Sequence, residues 1–217
     1  MKLFYLTSAP FALSNLALRR LKIARFADLN DPFELLPVNL ADAINRRALC
    51  AFKESINETI GLICFSSTWD NPVLWGHYGD KHAGIALGFE VPDALANKVL
   101  YSDRPFRIPF DPKTKRAIPN KKTVNRLLRT KFVDWKYEKE YRLFVQLEHS
   151  TRESGMYFYD FSEEACLCEV ILGPKCELPA DRIDTLLKGF KQPIRLIKSR
   201  IAFESFRVVE NKNFGHA

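Results

Sequence analysis

Short apolar runs, such as Gly61–Ser66, and runs of alternating apolar and polar residues, such as Leu21–Phe26 and Glu140–Leu147, predict short β-strands. We expect strands over Lys2–Ser8, Leu21–Phe26, Gly61–Ser66, Gly84–Val91, Glu140–Leu147, Met156–Phe161, Cys168–Leu172, Ile194–Ile197 and Phe206–Val209. Apolar residues at helical spacing predict helices over Ala9–Leu18, Leu40–Ile56, Asn71–Tyr78, Pro92–Val99, Lys121–Phe132 and Pro179–Gly189. Because strands and helices are mixed without a regular βαβ alternation, the pattern predicts an α+β fold.

The length of 217 residues is that of one domain, spanning residues 1–217. Hydrophobic residues make up 47% of the chain and include 17 Phe, so it has enough apolar area for a folded core. No apolar stretch approaches the ~20 residues of a membrane helix, and we expect no membrane span. The Pro-rich loop after Arg104 and the basic helix behind it are expected to form an elaboration at about residues 104–132.

The chain has five cysteines and begins without a long apolar segment of the kind found in export signals. An odd number of cysteines without such a signal indicates reduced thiols in a cytoplasmic protein. Cys166 and Cys168 are spaced C-x-C, but no second pair or His partner lies close in sequence. We therefore interpret them as thiols on a strand and predict no metal site.

The positive charge is concentrated in one segment. Residues 104–142 hold 13 Lys+Arg and 4 Asp+Glu, a net charge of +9, whereas the whole chain has +7. Such a segment attracts phosphate groups, from a dinucleotide to DNA or RNA. It is also typical of a solvated helical face, and both interpretations stay open.

Two short motifs combine residue types that could carry chemistry. Asn71–Tyr78, followed by His82 and Gly84, places Trp75, His77 and Tyr78 within one helical turn. These aromatic rings could stack on a ligand, or Trp75 and Tyr78 could share a core face while His77 points outward.

The second motif is Trp135–Arg142. At strand spacing Glu138, Glu140 and Arg142 would share one face, where neighbouring carboxylates can take different pKa values and roles. The alternative is an exposed Arg–Glu pair that contributes little. Asn30–Glu34 is interpreted as a capping turn.

Five pieces of sequence lie in order between residues 3 and 142: Asn30-Asp31-Pro32-Phe33, Cys64-Phe65-Ser66, Leu74-Trp75-x-His77-Tyr78-x-x-x-His82-x-Gly84-Ile85, Gly88-Phe89 and Trp135-x-Tyr137-Glu138-x-Glu140-Tyr141-Arg142. In these pieces the chain resembles a bacterial family that is mostly described as a domain of unknown function. Members of that family occur in phage-defence, abortive-infection and toxin–antitoxin contexts. The resemblance implies a bacterial defence or toxin role and an antitoxin protein as partner.

The order of an aromatic strand, a helix, a strand, an N-P-x-L-W turn and a late Glu on a strand is more distantly similar to ADP-ribosyltransferases, especially DNA-targeting toxins. That similarity implies strands split into a two-sheet core with flanking helices, and NAD as substrate. It implies Glu140 as the catalytic carboxylate and Glu138 as the residue that orients the acceptor, a nucleic acid or a protein. The cofactor-binding set it implies is Tyr5, Thr7, Asn30, Trp75, His77, Tyr78, Lys131 and Arg142. Tyr5 and Thr7 stand in the first strand, where that superfamily often has His or Arg.

Two other functions fit parts of the sequence. A non-catalytic nucleic-acid-binding module would use the basic segment 104–142. A metal-dependent nuclease would use His77, His82, Glu138 and Glu140, although two His five residues apart do not share a helix face well.

Overall fold

The computed structural model describes residues 1–38, 43–106 and 120–213. The helices within this part are α1 (Ala9–Leu18), α2 (Ala43–Thr59), α3 (Pro72–His77), α4 (Lys121–Arg129) and α5 (Ala180–Leu187). The strands are β1 (Lys2–Thr7), β2 (Arg20–Arg25), β3 (Ile60–Ser66), β4 (Ile85–Glu90), β5 (Asn97–Lys98), β6 (Leu100–Ser102), β7 (Thr130–Phe132), β8 (Glu140–Gln146), β9 (Thr151–Glu153), β10 (Met156–Asp160), β11 (Cys166–Leu172), β12 (Arg195–Ile201) and β13 (Val208–Glu210).

One continuous sheet connects 11 of these strands, and its main path runs β13-β12-β11-β4-β1-β3-β2-β10-β9. Only β11 and β12 run parallel within it, and β6 and β7 form a separate parallel pair. The predicted α+β class with mixed, mostly antiparallel strands is confirmed. The expected two-sheet core is instead one large sheet and a small pair, because β3 bonds to strands on both of its edges.

The middle strand β3 creates a gap in the sheet. One edge of β3 pairs with β8 along its length, from Ile60 opposite Gln146 to Ser66 opposite Glu140. The other edge is shared, because β1 pairs only at the end of β3, where Phe4 lies opposite Ser66. The other partner on that edge, β2, pairs only near the start of β3. The edge of β3 between these two contacts is therefore left open.

Helices cover both faces of the sheet because successive strand residues point to opposite sides. On one face α1 and α5 bury Leu16 and Ile183 against the central strands. On the other face α2 and α4 bury Ile56 and Leu128 against Leu62 of β3. No helix of the described residues has both the length and the apolar character to cross a membrane.

Two predicted helices differ from the structure. The helix predicted over Pro92–Val99 is one turn followed by β5, since the Asn97 side chain bonds the carbonyl of Leu95 and the next residues join β8. The helix predicted over Lys121–Phe132 ends at Arg129, and Thr130–Phe132 pairs with β6. The beginning of the helix predicted over Leu40–Ile56, and residues 107–119 of the predicted elaboration, lie outside the described residues.

The strand spacing assumed for Glu138 is also wrong. Residues Val133–Glu138 form a 3-10 helix, and Lys139 has a left-handed φ of 47° before β8 begins at Glu140. A left-handed residue is uncommon outside glycine, and here it ends the 3-10 helix between the two acidic residues.

Candidate functional site

The gap between β1 and β2 opens into a cavity of about 260 Å³. Phe4, Leu6, Leu62 and Phe65 contribute apolar walls from β1 and β3. One end is polar, with side chains from Tyr78, Lys131, Glu138 and Glu140. The exposed residues of the lining are Lys22, Asp28 and Asn30. The cavity therefore joins an apolar pocket, a set of ionisable groups and a solvent-exposed rim, which is the usual composition of a small-molecule site.

Glu140 is held from two sides by cations. Its Oε1 accepts a hydrogen bond from Nε of Arg142 at 2.8 Å, and its Oε2 lies 3.4 Å from Nζ of Lys131. Its backbone N–H donates to the hydroxyl of Tyr101 at 2.9 Å. The register of β8 on β3 places Glu140 opposite Ser66 and therefore on the face of the sheet that carries the cavity.

Arg142 connects Glu140 to a distant loop. Its Nη1 and Nη2 donate to the two carboxylate oxygens of Glu34, and Nη1 also donates to the carbonyl of Leu128 at 2.8 Å. Arg142 has no exposed surface, and Glu34 is 1% exposed. This fork-shaped ion pair ties the loop before α2 and the end of α4 to the strand that carries Glu140.

Glu138 ends a chain of hydrogen bonds that begins at the rim. Nδ2 of Asn30 donates to the Tyr78 hydroxyl at 2.6 Å, and that hydroxyl donates to Oε1 of Glu138. Nζ of Lys131 donates to the other oxygen, Oε2, at 2.7 Å. The backbone is fixed as well, because the Ser66 hydroxyl donates to the Glu138 carbonyl at 2.6 Å. Glu138 and Glu140 therefore share Lys131.

The buried cluster has more acidic than basic groups. Glu34, Glu138 and Glu140 face Lys131 and Arg142, so full ionisation leaves one negative charge in excess. Burial raises the pKa of Glu138 and outweighs the nearby Lys131 charge. For Glu140 burial acts in the same direction, but the charges of Arg142 and Lys131 together hold its pKa below the ordinary value. A proton shared by the cluster is thus favoured on Glu138 over Glu140.

Neighbouring groups in the cavity stay neutral. Burial, and then the charge of Glu138, raise the pKa of the Tyr78 phenol, so it remains a donor. Burial raises the pKa of Tyr5 to about 12, and it raises that of the Cys64 thiol well above its ordinary value. The arrangement can thus offer one fixed carboxylate, one carboxyl group that exchanges a proton, and neutral aromatic rings beside them.

Most of the residues predicted for the site meet at this cavity. Asn30, Tyr78, Lys131, Glu138 and Glu140 lie at its polar end or rim, and Tyr5 lines its wall. Arg142 is outside the lining and acts through Glu140.

Three predicted residues are not placed to contact a ligand in this cavity. Trp75 is fully buried behind the cavity wall, in a cluster with Phe4 and Ile171, and is not part of the lining. Its indole N–H donates to the carbonyl of Trp69 at 2.6 Å. The exposed His77 lies with Nδ1 2.7 Å from the Tyr137 hydroxyl. Thr7 pairs with Ile85 in the sheet. One helical turn therefore places Trp75 in the core and Tyr78 on the wall of the cavity.

Sequence reasoning missed Glu34, Tyr101 and Lys22. Glu34 directly follows Asn30-Asp31-Pro32-Phe33, and the whole segment was interpreted as a capping turn. That tetrapeptide is one of the five pieces that carry the family resemblance, so its position was a usable signal for a site residue nearby. Tyr101 and Lys22 stand in short strands without any motif, so no local signal indicated them.

The described residues contain no group of three or more His, Cys, Asp or Glu side chains placed to hold a metal ion. The metal-dependent nuclease interpretation requires one site formed by His77, His82, Glu138 and Glu140. These four side chains do not form such a site. The two carboxylates are instead bonded to Lys131 and Arg142.

Comparison with known proteins yields one match. Residues 74–143, which are 70 of the 217 residues, match the family described as "Protein of unknown function (DUF2971)". The matched range contains Tyr78, Lys131, Glu138, Glu140 and Arg142, whereas Asn30 and Glu34 precede it. The expected similarity to a family of unknown function is therefore supported over this range. No curated protein and no solved structure has a significant match to the chain.

Proposed function

We propose that this chain is an ADP-ribosyltransferase-like enzyme that cleaves NAD and transfers ADP-ribose to a nucleic-acid or protein acceptor. The observation that carries the proposal is the pair Glu138 and Glu140, which share Lys131 at the polar end of the cavity between β1 and β2. The bacterial defence or toxin setting, a cytoplasmic location and an antitoxin partner rest on the sequence resemblance and the cysteine count.

The residues of the cavity suit part of a dinucleotide. Tyr78 and Tyr5 supply neutral aromatic side chains, and Lys22 at the rim supplies a positive charge for a phosphate. The volume of about 260 Å³ is near the lower end for small-molecule sites, so one nucleoside half would occupy it. The other half would extend past the exposed rim.

Glu140 is suited to the bond-breaking step. NAD supplies a nicotinamide leaving group, and loss of that group leaves positive charge on the ribose, as in glycoside hydrolysis. Arg142 and Lys131 keep Glu140 ionised and fix its position, so its charge needs little rearrangement when the positive charge develops.

Glu138 is suited to handling the acceptor. Its raised pKa lets it accept a proton from an attacking hydroxyl or amine group more readily than an ordinary carboxylate does. Tyr78 and Lys131 hold its two oxygens, so the carboxyl group keeps one orientation.

The test is release of nicotinamide from NAD by the purified protein, with and without added DNA, RNA or protein. We expect Glu140→Gln to lower release by about 10²–10³-fold, the usual effect of removing one preorganised electrostatic group. Glu148→Gln is the matched control, because Glu148 is exposed just beyond the same strand and contacts His149. A folded Glu140→Gln protein with unchanged release would refute the proposal, as would the absence of release from the wild-type protein with every acceptor.

A second candidate is a non-catalytic nucleic-acid-binding module. Exposed Lys121, Lys122 and Arg126 on α4 favour it, because they present positive charge to solvent. It predicts strand binding that survives Glu140→Gln and no release of nicotinamide by the wild-type protein.

A further inference from the structure

A second cavity, of about 320 Å³, adjoins the first. Lys131 is a lining residue of both cavities. The second cavity is built from the β6–β7 pair and from the loop that carries Glu34, and its main walls are Phe33, Phe132, Pro105 and Arg104. It is open to the surface, since Phe33 is 62% exposed and Phe132 is 42% exposed.

Phe33 and Phe132 are both exposed in the lining of one cavity, and a contiguous exposed apolar surface is typical of an interaction site. Every nucleobase has a flat π-face that stacks on an aromatic ring irrespective of sequence. Prolines and Leu36 complete the apolar lining, and apolar groups are the walls that accept an unstacked base.

The charge around this cavity favours a polyanion. Arg104 is 88% exposed, and its Nε lies 3.9 Å from the 74% exposed Asp103, so its guanidinium remains accessible to a second anion. The lining residues Arg104, Pro105, Thr130, Lys131 and Phe132 belong to the segment 104–142, whose net charge is +9. An apolar peptide could fill such walls, but it would offer no anion to the accessible Arg104 guanidinium.

We propose that the second cavity binds one base of a single-stranded nucleic acid, with Phe132 and Phe33 as its stacking surfaces and Arg104 on the adjacent phosphate. A base held there lies beside Lys131, which also lines the cavity proposed for NAD cleavage. The role of this base as the acceptor rests on the function proposed above. The binding of the strand does not depend on it.

The experiment measures binding of a short fluorescent single strand, once as DNA and once as RNA, by anisotropy in the absence of NAD. We expect binding by the wild-type protein that weakens steeply between about 50 and 200 mM salt. Phe132→Ala should weaken it by about 5- to 150-fold, the effect of losing one base–aromatic stack. Phe132→Tyr should retain it, and Arg104→Gln should reduce the salt slope by about 1.

Phe203→Ala is the matched control, because Phe203 is 89% exposed on the turn between β12 and β13 and lines neither cavity. All the substituted side chains are at the surface, and thermal unfolding checks that each variant remains folded. Binding of either DNA or RNA with loss in Phe132→Ala supports the proposal and identifies the strand. No binding of either strand, a salt-independent affinity, or equal binding by wild type, Phe132→Ala and Phe33→Ala would overturn it.

Release of nicotinamide, measured on the same samples, separates the two proposals. Strand binding that depends on Phe132, without release, refutes NAD cleavage and supports the base site. Release that depends on Glu140, without any strand binding, supports NAD cleavage and refutes the base site.

Discussion

Replacement of Arg142 by Met tests the central ion network directly. The Arg142 guanidinium makes five hydrogen bonds, two each to Glu34 and Glu140 and one to the carbonyl of Leu128. Methionine has similar length and no charge, so the change removes these bonds without opening a large cavity. It leaves Glu34 and Glu140 buried, and among the residues that the structure describes Lys131 is the cation that still pairs with Glu140.

The expected cost follows from this burial. Removing one partner of a buried ion pair costs about 3–5 kcal/mol, because the other charge stays buried without compensation. Total stabilities are about 5–15 kcal/mol, so the variant would lose a large part of its free energy of unfolding. For a chain of this size the melting temperature should fall by about 6–20 °C.

The loss should also depend on pH. Burial already raises the pKa of Glu34 with Arg142 in place, whereas the pKa of Glu140 is held low. Loss of Arg142 raises the pKa of Glu34 further and brings that of Glu140 above the unfolded value of about 4.3, so the folded variant binds more protons than the unfolded chain. The stabilisation from these extra protons is fully present below the pKa of the unfolded state, and it is lost as pH rises through the pKa of the folded state. The deficit relative to wild type should therefore be larger at about pH 8 than at about pH 5.

Urea unfolding at both pH values measures these effects. Arg207→Met is the matched control, since Arg207 is 65% exposed and its partner Asp70 is 32% exposed, and it should cost no more than about 1 kcal/mol. The double variant Arg142→Met, Glu34→Gln should recover part of the loss. Equal costs for Arg142→Met and Arg207→Met, or a deficit that shrinks as pH rises, would refute the reasoning.

Two further predictions concern the pair of carboxylates and the core. Burial raises the pKa of Glu138 in the folded state, so ionisation of Glu138 lowers the stability of the wild type as pH rises from the ordinary Glu pKa through the raised one. Over that pH range Glu138→Gln should therefore gain stability relative to wild type, which urea unfolding measures. A stability difference between Glu138→Gln and wild type that stays constant or falls as pH rises contradicts this prediction. Trp75→Ala should cost about 3–5 kcal/mol, whereas Phe206→Ala, at a side chain 98% exposed, should cost almost nothing. Similar costs for both would show that Trp75 is not a core residue.

The candidate site was predictable where it is local in sequence. The spacing of Trp135–Arg142 indicated that Glu138, Glu140 and Arg142 act together, and the structure brings them together. The reason given for it was wrong, since Glu138 belongs to a 3-10 helix that ends at a left-handed Lys139. Lysine is not a residue that favours the left-handed region, so no local signal in the sequence indicated this helix end.

The contribution of distant residues was not predictable. Glu34 and Arg142 are 108 positions apart, and nothing in either local pattern pairs them. The same holds for Trp75, whose apolar neighbours Ile171 and Ile197 come from the last third of the chain. A motif shows which side chains are close along one element, but burial depends on which elements pack against it.

The sequence by itself determined the alternation that makes most of the strands, the α+β class and the concentration of positive charge in residues 104–142, because periodicity and charge are properties of neighbouring residues. Only the tertiary structure decided that β1 and β2 share one edge of β3 and leave a cavity between them. It also decided that Lys131 stands between two carboxylates and lines two cavities. Strand order and loop placement arise from long-range pairing, which local patterns do not specify.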